Sequence, residues 1–189
     1  TTSCRSGAAS ADITPSAVVL VATVKALKHH AGDPDGGIEA IEAGAANLAR
    51  HIGIVREFGI NPVVAVNRFP GDTTEEIERV RALALEAGAY AAEVNDGFVQ
   101  GGAGASALAE AVVAAAEEPS SFDFLYPIDA PIEQKIEAIA KRVYGADGIY
   151  LLKTAKDKIQ QFTKAGLDRL PICMATTHLS LSHDAALAN

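Results

Sequence analysis

The chain has few of the residues that build disulfide frameworks, metal centres or hydrolase active sites. Its 189 residues include two cysteines, Cys4 and Cys173, which lie far apart in the sequence and lack metal-ligand spacing. We therefore expect free thiols that are buried or partly buried, rather than a disulfide framework or a metal site. His29 and His30 are adjacent, which does not suit a two-histidine metal site on one helix face. No Gly-x-Ser-x-Gly turn occurs, so a nucleophile-elbow hydrolase is not indicated.

The sequence also lacks a basic surface and a recognisable export signal. The net charge is -8 at pH 7, and no basic stripe with interleaved aromatic residues is present, so we expect no nucleic-acid partner. By inspection, no apolar run approaches the roughly 20 residues that span a bilayer. The first residues lack a charged-then-apolar pattern. We therefore expect a cytoplasmic protein with small-molecule partners and no membrane contact, and we also expect a homo-oligomer.

Apolar runs alternate with periodic segments along the chain, whose 49% hydrophobic residues are enough for one domain with a sizeable core. Continuous β-branched runs predict buried strands, the first of them central in its sheet, at residues 17–23, 63–66 and 89–94. Shorter runs predict strands at 149–152 and 170–175, and a strand or extended connector at 122–126. Apolar residues three or four apart predict helices at 38–59, 73–88, 106–117, 132–144 and 155–165. This alternation predicts an α/β fold with a mostly parallel sheet and helices on both faces.

The second predicted strand ends in a well-marked turn and helix start. Pro70-Gly71 predicts a turn. The next helix can be capped by any of three residues, with a glutamate at the capping-box position, namely Asp72, Thr73 or Thr74 and Glu75 or Glu76.

Three residues between this strand and its turn are the first candidate site. In open parallel sheets, ligands bind at the carboxyl ends of strands, in the loops that lead to helices. Asn67, Arg68 and Phe69 occupy this position. The alternative is that Asn67 closes a turn and Phe69 fills the top of the core.

Positive charge follows the first predicted strand. Lys25, Lys28, His29 and His30 come directly after it and would lie at the same edge of the sheet. The alternative is a solvated basic loop. The glycine-rich loop at residues 31–37 that follows could serve as a lid.

Two other strand exits carry polar or flexible residues. The glycine-rich segment 95–104 precedes a helix and could cradle an anion. It lacks the Gly-x-x-x-x-Gly-Lys-Ser/Thr pattern of a nucleotide phosphate loop, and a tight or mobile turn is the alternative. His178 and His183 follow the last predicted strand, where local turn hydrogen bonds are the alternative to a ligand role.

Several stretches together resemble the formate–tetrahydrofolate ligases, also called formyltetrahydrofolate synthetases. They occur in the same order over nearly the whole chain, which makes the resemblance far more specific than any single motif. They are Val18-Val-Leu-Val-Ala-Thr-Val-Lys-Ala-Leu-Lys28-His-His, Pro62-Val-Val-Ala-Val-Asn67-Arg-Phe69-Pro, Phe124-Leu-Tyr126, residues 136–149 with Tyr144-Gly-Ala-Asp-Gly148, and Leu170-Pro-Ile-Cys-Met-Ala-Thr-Thr-His-Leu-Ser-Leu-Ser182.

The resemblance implies the activity, the substrates and the folate slot. Members of the family join formate to tetrahydrofolate with ATP, which is used with Mg²⁺, through a formyl phosphate intermediate, on a fold similar to the P-loop nucleotidases. They hold the folate ring between two aromatic side chains, which match Phe69 and Phe98 here; many members carry tryptophan at the second position. Val94 would line the same slot and Asn67 would bind in it. Stacking of a flat ring on aromatic faces adds about 0.5–1.5 kcal/mol beyond burial.

The resemblance also implies a nucleotide wall. Thr23, Lys25, Ala26 and Leu27 would lie beside the adenine end of the ATP site. Residues 1–189 are then one α/β unit of a larger ligase, with the nucleotide and folate side in 1–120 and the start of a following βα region in 121–189.

The chain departs from the family pattern in several places. The family's Gly-x-Gly-Lys-Thr phosphate loop and the arginine that holds formyl phosphate have no counterpart in the 189 residues. Thr176 and Gln100 stand where many members have lysine, and the loop after His30 is shortened. The family also continues well beyond the match to Asn189. These departures lead us to expect an internal piece of a ligase that is inactive alone.

Two other function classes are alternatives. The segment Asn67-Arg-Phe-Pro-Gly-Asp72 is superficially similar to the Asn-Lys-x-Asp base-reading motif, although its carboxylate comes two residues late. A non-catalytic or regulatory P-loop-type nucleotide-binding domain is therefore the runner-up. A protein-interaction module is the third reading, and the sequence offers no exposed aromatic patch to support it.

Overall fold

The computed structural model describes residues 14–174, which form two compact units. The first unit comprises residues 15–122, and the second comprises residues 123–174 with Thr14. The predicted polar tail with Thr176, His178 and His183 lies outside the described residues.

The first unit is built on a parallel sheet of three strands. They are β1 (Ala17–Ala22), β2 (Asn61–Asn67) and β3 (Ala91–Asn95), in the order β1-β2-β3. In the register, Val21 pairs with Ala65, which pairs with Glu93. The α/β class and all three predicted strands of this unit are confirmed.

Helices cover both faces of this sheet. They are α1 (Val24–His30), α2 (Ile38–Glu57), α3 (Thr74–Glu86), the short α4 (Gly97–Gln100) and α5 (Ser106–Glu117). Val64 and Val66 belong to the core formed with α2 and α3. Because side chains of a strand alternate, Val63 and Ala65 face the other way. There the buried Ala115 of α5 lies, with its carbonyl oxygen accepting a hydrogen bond from Asn61 Nδ2.

The prediction that the first strand is central is wrong for the described residues. β2 is the middle strand, and β1 pairs with β2 alone in this part of the chain. Val19 and Val21 are 42% and 64% exposed, whereas the β2 residues beside them, Val63 and Ala65, are buried. A continuous apolar run indicates apolar surroundings but carries no information on lateral strand order, so the two runs look alike in the sequence.

The two long helices of this unit begin and end within two residues of their predicted bounds. Thr73 caps α3 with a reciprocal capping box, in which its hydroxyl accepts from Glu76 N and the Glu76 carboxylate accepts from Thr73 N. Gly59 and Gly88 follow the ends of α2 and α3 with φ of +69° and +93°, a conformation that favours glycine.

The segment after β3 is more helical than predicted. The glycine-rich residues between β3 and α5 form α4 and a 3₁₀ turn, Gly101–Ala105, instead of a loop. The resulting helical stretch, Gly97–Glu117, is long and apolar enough to cross a bilayer by length and composition, contrary to expectation. A single such helix is weak evidence for a membrane span.

The second unit has the two predicted helices, α6 (Ile132–Arg142) and α7 (Lys153–Lys164). In the described residues no strand forms at 149–152, at 170–174 or at 122–126, where Leu125 and Tyr126 form a bend. Side chains bind the backbone where a ladder was predicted. The buried Lys135 Nζ donates to the carbonyl oxygens of Asp168 and Leu170, at 2.5 and 3.2 Å, and Ile172 N donates to Tyr126 Oη. The strand predictions at 149–152 and 170–175 are both wrong within the described residues. In 170–174, the carbonyl oxygen of Leu170 and the N–H of Ile172 bond to Lys135 and Tyr126 rather than to a neighbouring strand.

Two glycines of α2 give a matched test of its packing on α1. A Cβ at Gly44 would overlap the backbone carbonyl of Leu27, whereas a Cβ at Gly53 would meet nothing within 4 Å. We expect Gly44→Ala to destabilise the protein by about 1–3 kcal/mol through overpacking. Gly53→Ala should stabilise it by up to about 1 kcal/mol through helix propensity. Urea denaturation measures both, and equal effects of the two changes would contradict the close approach.

An ion pair joins α1 to the start of α3 and makes stability depend on pH. Lys28 Nζ donates to Glu76 at 2.6 Å. The hydrogen bond from Lys28, followed by that from Thr73 N, lowers the pKa of Glu76 below its ordinary value of 4.5. A lowered carboxyl pKa stabilises the folded state above pH 4.5 and loses this effect as the pH falls below it. We expect Glu76→Gln to flatten the loss of stability on acidification, measured by urea denaturation. The exposed Glu75→Gln is the control, and an unchanged pH profile for Glu76→Gln would contradict the ion pair.

Candidate functional site

The carboxyl ends of β2 and β3 are joined by side-chain and backbone hydrogen bonds. Asn67 and Asn95 are paired in the register, and Asn95 Nδ2 donates to Asn67 Oδ1 at 2.8 Å. Arg68 N donates to the carbonyl oxygen of Asn95 at 3.1 Å. These contacts hold the two strand exits together at one edge of the sheet, as parallel strands require.

A cavity of about 260 Å³ opens at this edge. Its lining comprises Asn67, Arg68, Phe69, Pro70, Asn95, Phe98 and Val99. Phe69 is 52% exposed and Phe98 is fully exposed, so neither ring is buried in the core. The alternative in which Phe69 fills the top of the core is therefore wrong. The structure brings three predicted folate residues, Asn67, Phe69 and Phe98, to one cavity.

A tight turn fixes the backbone of Phe69. Phe69 N donates to Asp72 Oδ2 at 2.8 Å, and Asp72 N donates to the carbonyl oxygen of Phe69 at 3.1 Å. Gly71 has φ of +101°, a conformation that few other residues adopt. The predicted Pro-Gly turn is confirmed. It fixes the backbone position from which the Phe69 side chain extends.

A second, larger cavity of about 740 Å³ adjoins the first. It is lined by Thr23, Lys25, Ala26, His29, Pro34, Phe69, Pro70 and Asp72. Phe69 and Pro70 line both cavities, so they form the wall between them. Three of the four predicted nucleotide residues, Thr23, Lys25 and Ala26, therefore lie around one cavity.

The basic residues after β1 form a helix, and not a loop. Thr23 Oγ1 accepts from Ala26 N at 2.9 Å and caps α1. The predicted positive charges then separate: Lys25 and His29 line the second cavity, while Lys28 is bound to Glu76. Burial, and then the neighbouring His29, lower the pKa of His30 below 6.5, which favours its neutral form at pH 7.

Two predicted site residues point into the core. Leu27 is 3% exposed and belongs to the apolar cluster under α2, and Val94 is partly buried against the same cluster. Neither lines either cavity. Their side chains shape the site from below and do not form its surface.

Several backbone N–H groups of the glycine-rich segment are bonded within it. Asp96 N donates to the carbonyl oxygen of Gly104, and the N–H groups of Val99 and Gln100 donate to that of Asp96. Gln100 Nε2 also donates to Asp96 Oδ2 at 2.6 Å. These backbone donors are used within the segment, which supports Phe98 and Val99 at the cavity.

The sequence prediction missed several lining residues. Asn95 ends β3 as Asn67 ends β2, so the same argument from strand ends could have found it. The sequence offers Asp72 as a helix cap, a role that Thr73 performs, and as the late carboxylate of a base-reading motif, but not as a residue that holds Phe69. Within residues 14–174, no group of three or more His, Cys, Asp or Glu side chains is placed to hold a metal ion.

Comparison with known proteins identifies the family. The family model for formate–tetrahydrofolate ligase matches residues 4–189. A formate–tetrahydrofolate ligase of Desulforamulus reducens is 47% identical over 92% of this chain and 33% of its own length. The cytoplasmic C-1-tetrahydrofolate synthases of Saccharomyces cerevisiae and Homo sapiens are 44% and 47% identical over 94% and 90% of this chain, each over 20% of its own length. The chain thus spans between a fifth and a third of these relatives, and it belongs to the formate–tetrahydrofolate ligase family.

Proposed function

We propose that this chain supplies the folate slot and one wall of the nucleotide site of an ATP-dependent ligase that joins formate to tetrahydrofolate, giving 10-formyltetrahydrofolate for one-carbon metabolism. The observation that carries the proposal is the cavity lined by both Phe69 and Phe98. The names of the relatives, formate–tetrahydrofolate ligase and C-1-tetrahydrofolate synthase, support the same substrates.

The chemistry of the first cavity suits a pteridine. A flat heterocycle gains most from aromatic faces, and two exposed rings at one cavity offer such faces before any ligand arrives. Asn67 and Asn95 supply amide groups that can bond to the polar edge of the ring. Among the described residues of the lining, Arg68 alone is charged, and its guanidinium would lie near an anionic part of the ligand.

The second cavity is the proposed site for part of ATP. Thr23 and Ala26 would contact the adenine end, and Lys25 would place a positive charge beside the anionic nucleotide. Leu27 would act from the core by fixing α1. Mg²⁺ would enter with ATP and be held largely by phosphate oxygens, as is usual for this ion.

The proposed reaction has two steps. A formate oxygen attacks the γ-phosphorus of ATP, the bond to the ADP oxygen breaks, and formyl phosphate forms. N10 of tetrahydrofolate then attacks the formyl carbon and loses its proton, and inorganic phosphate leaves. Such catalysis depends mainly on positioning and on neutralising phosphate charge. The 189 residues hold no phosphate-loop pattern. The proposal therefore assigns to this chain the binding of ligands, and it does not assign to this chain by itself the transfer of the phosphoryl group.

The proposal extends to the organisation of the chain, its partners and its location in the cell. Residues 1–120 would carry the nucleotide and folate side, and residues 121–189 would begin a following region. We propose kinship with the P-loop nucleotidases, small-molecule partners, a homo-oligomeric protein and a cytoplasmic location, the last supported by the cytoplasmic names of the eukaryotic relatives.

Truncation of the two rings tests the folate slot. We expect Phe69→Ala and Phe98→Ala each to weaken tetrahydrofolate binding roughly ten- to hundred-fold, because stacking on a heterocycle is worth about 1–3 kcal/mol. Isothermal titration calorimetry on the intact protein measures the dissociation constants.

A matched control is Tyr90→Ala, which removes an exposed ring at the opposite, amino end of β3. It should leave tetrahydrofolate affinity unchanged. Wild-type affinity in both phenylalanine variants would show that the site assignment is wrong. A preference for GTP without folate binding would instead favour a regulatory nucleotide-binding domain.

A further inference from the structure

Asp72 has a carboxylate whose position is not explained by helix capping. Asp72, Thr73 and Thr74 are all residues that can cap a helix, but Thr73 caps α3 through its hydroxyl. The Asp72 carboxylate instead turns back along the chain, and its Oδ2 accepts the backbone N–H of Phe69 at 2.8 Å. The carboxylate therefore holds Phe69, and not the helix.

The same residue lines a different cavity from the one that contains Phe98. Asp72 lines the second cavity with Lys25 and His29, whereas Phe98 lines the first. Phe69 and Pro70 line both cavities. A ligand that contacts Asp72 thus touches the residue that fixes the wall of the neighbouring cavity.

We infer that Asp72 is a positioning residue that sets Phe69 and couples the two cavities, so that a nucleotide bound beside Asp72 strengthens tetrahydrofolate binding beside Phe69. This inference rests on the proposed function, because it takes the nucleotide and the folate as the two ligands. It assigns to Asp72 a coupling role and no part in the chemical step.

The physical basis is the ordering of one shared wall. A half-exposed ring held by one turn retains side-chain freedom, and each ligand must restrict that freedom when it binds. A nucleotide that packs on the Asp72 side of Phe69 and Pro70 restricts the wall first. Tetrahydrofolate then binds to an already ordered ring, which gives positive coupling. Linkage requires that tetrahydrofolate strengthens nucleotide binding by the same factor.

The second carboxylate oxygen of Asp72, Oδ1, can make a contact that exists only when a nucleotide is bound. Oδ2 is used by Phe69 N, and within the described residues no hydrogen bond or ion pair engages Oδ1. A carboxylate oxygen in this position can accept hydrogen bonds from the hydroxyl groups of a nucleotide sugar. Such a bond would tighten the Asp72 carboxylate, and with it the backbone of Phe69.

The test is calorimetry on the intact protein with tetrahydrofolate, in the absence and in the presence of a saturating non-hydrolysable ATP analogue. We expect the wild type to bind tetrahydrofolate roughly five-fold or more tightly when the analogue is present. The coupling ratio is the dissociation constant of tetrahydrofolate without the analogue divided by that with it. In Asp72→Ala this ratio should fall to about one, and tetrahydrofolate should also bind more weakly when no analogue is present. Asp72→Asn keeps an oxygen that accepts from Phe69 N and places an amide NH2 where Oδ1 stood. Because a sugar hydroxyl accepts hydrogen bonds as well as donating them, this variant should retain most of the effect of the analogue.

Two controls separate coupling from loss of fold. Glu75→Ala removes an exposed carboxylate three residues away and should behave as the wild type. Circular dichroism and the Tm show whether Asp72→Ala is folded. If it is not, Asp72→Leu, which is closer to aspartate in size and cannot accept from Phe69 N, takes its place, with the same loss of coupling expected. A ratio of one in Asp72→Asn would overturn the hydrogen-bond role of Asp72.

The outcomes distinguish this inference from the proposed function. If the wild type binds both ligands but its ratio is one, coupling is overturned and the proposed function stands. If the wild type binds neither ligand, both are overturned. A ratio that survives Asp72→Ala unchanged shows that coupling exists without Asp72, which also overturns the inference.

Discussion

The burial of β2 between two layers of helices is the constraint on which the first unit depends. Residues 62–66 of this strand are all buried, with the α2 and α3 core on one side and α5 on the other. Each buried valine contributes about 1.5–3 kcal/mol. A slip of one residue would carry Asn61 or Asn67 into the buried span, which disfavours other registers. The end of β2, and hence the start of the site, is fixed by the core.

The site is a consequence of where the two strands stop. Asn67 and Asn95 end paired strands, and their side chains are hydrogen-bonded to each other. After each strand end the backbone turns, and an aromatic residue follows within three positions, Phe69 after β2 and Phe98 after β3. Phe69 is held by the turn with Asp72, and Phe98 by a short helical segment with internal hydrogen bonds. The paired strand ends thus present two exposed rings, an arrangement suited to holding a flat ligand.

Local signals in the sequence were sufficient for some features and not for others. The capping box at Thr73 and the apolar β2 run are local, and both predictions are confirmed. The edge position of β1 and the absence of strands in the described second unit depend on which segments pair, which a run of apolar residues does not specify. The burial of Lys135 could have been predicted, since it lies three residues after Ile132 and four before Ile139, on the apolar face of α6. Lys135 binds the carbonyl groups of Asp168 and Leu170. These partners could not be predicted, because they lie more than 30 residues away and are brought to Lys135 only by the tertiary structure.

The central claim is that the rings of Phe69 and Phe98 hold one flat ligand at the joined ends of β2 and β3. A crystal structure of the intact protein with bound tetrahydrofolate tests this most directly. The account predicts density for the pteridine in contact with both rings, with its polar edge toward Asn67 and Asn95. Density for the pteridine at another place, with neither ring touching it, would contradict the account.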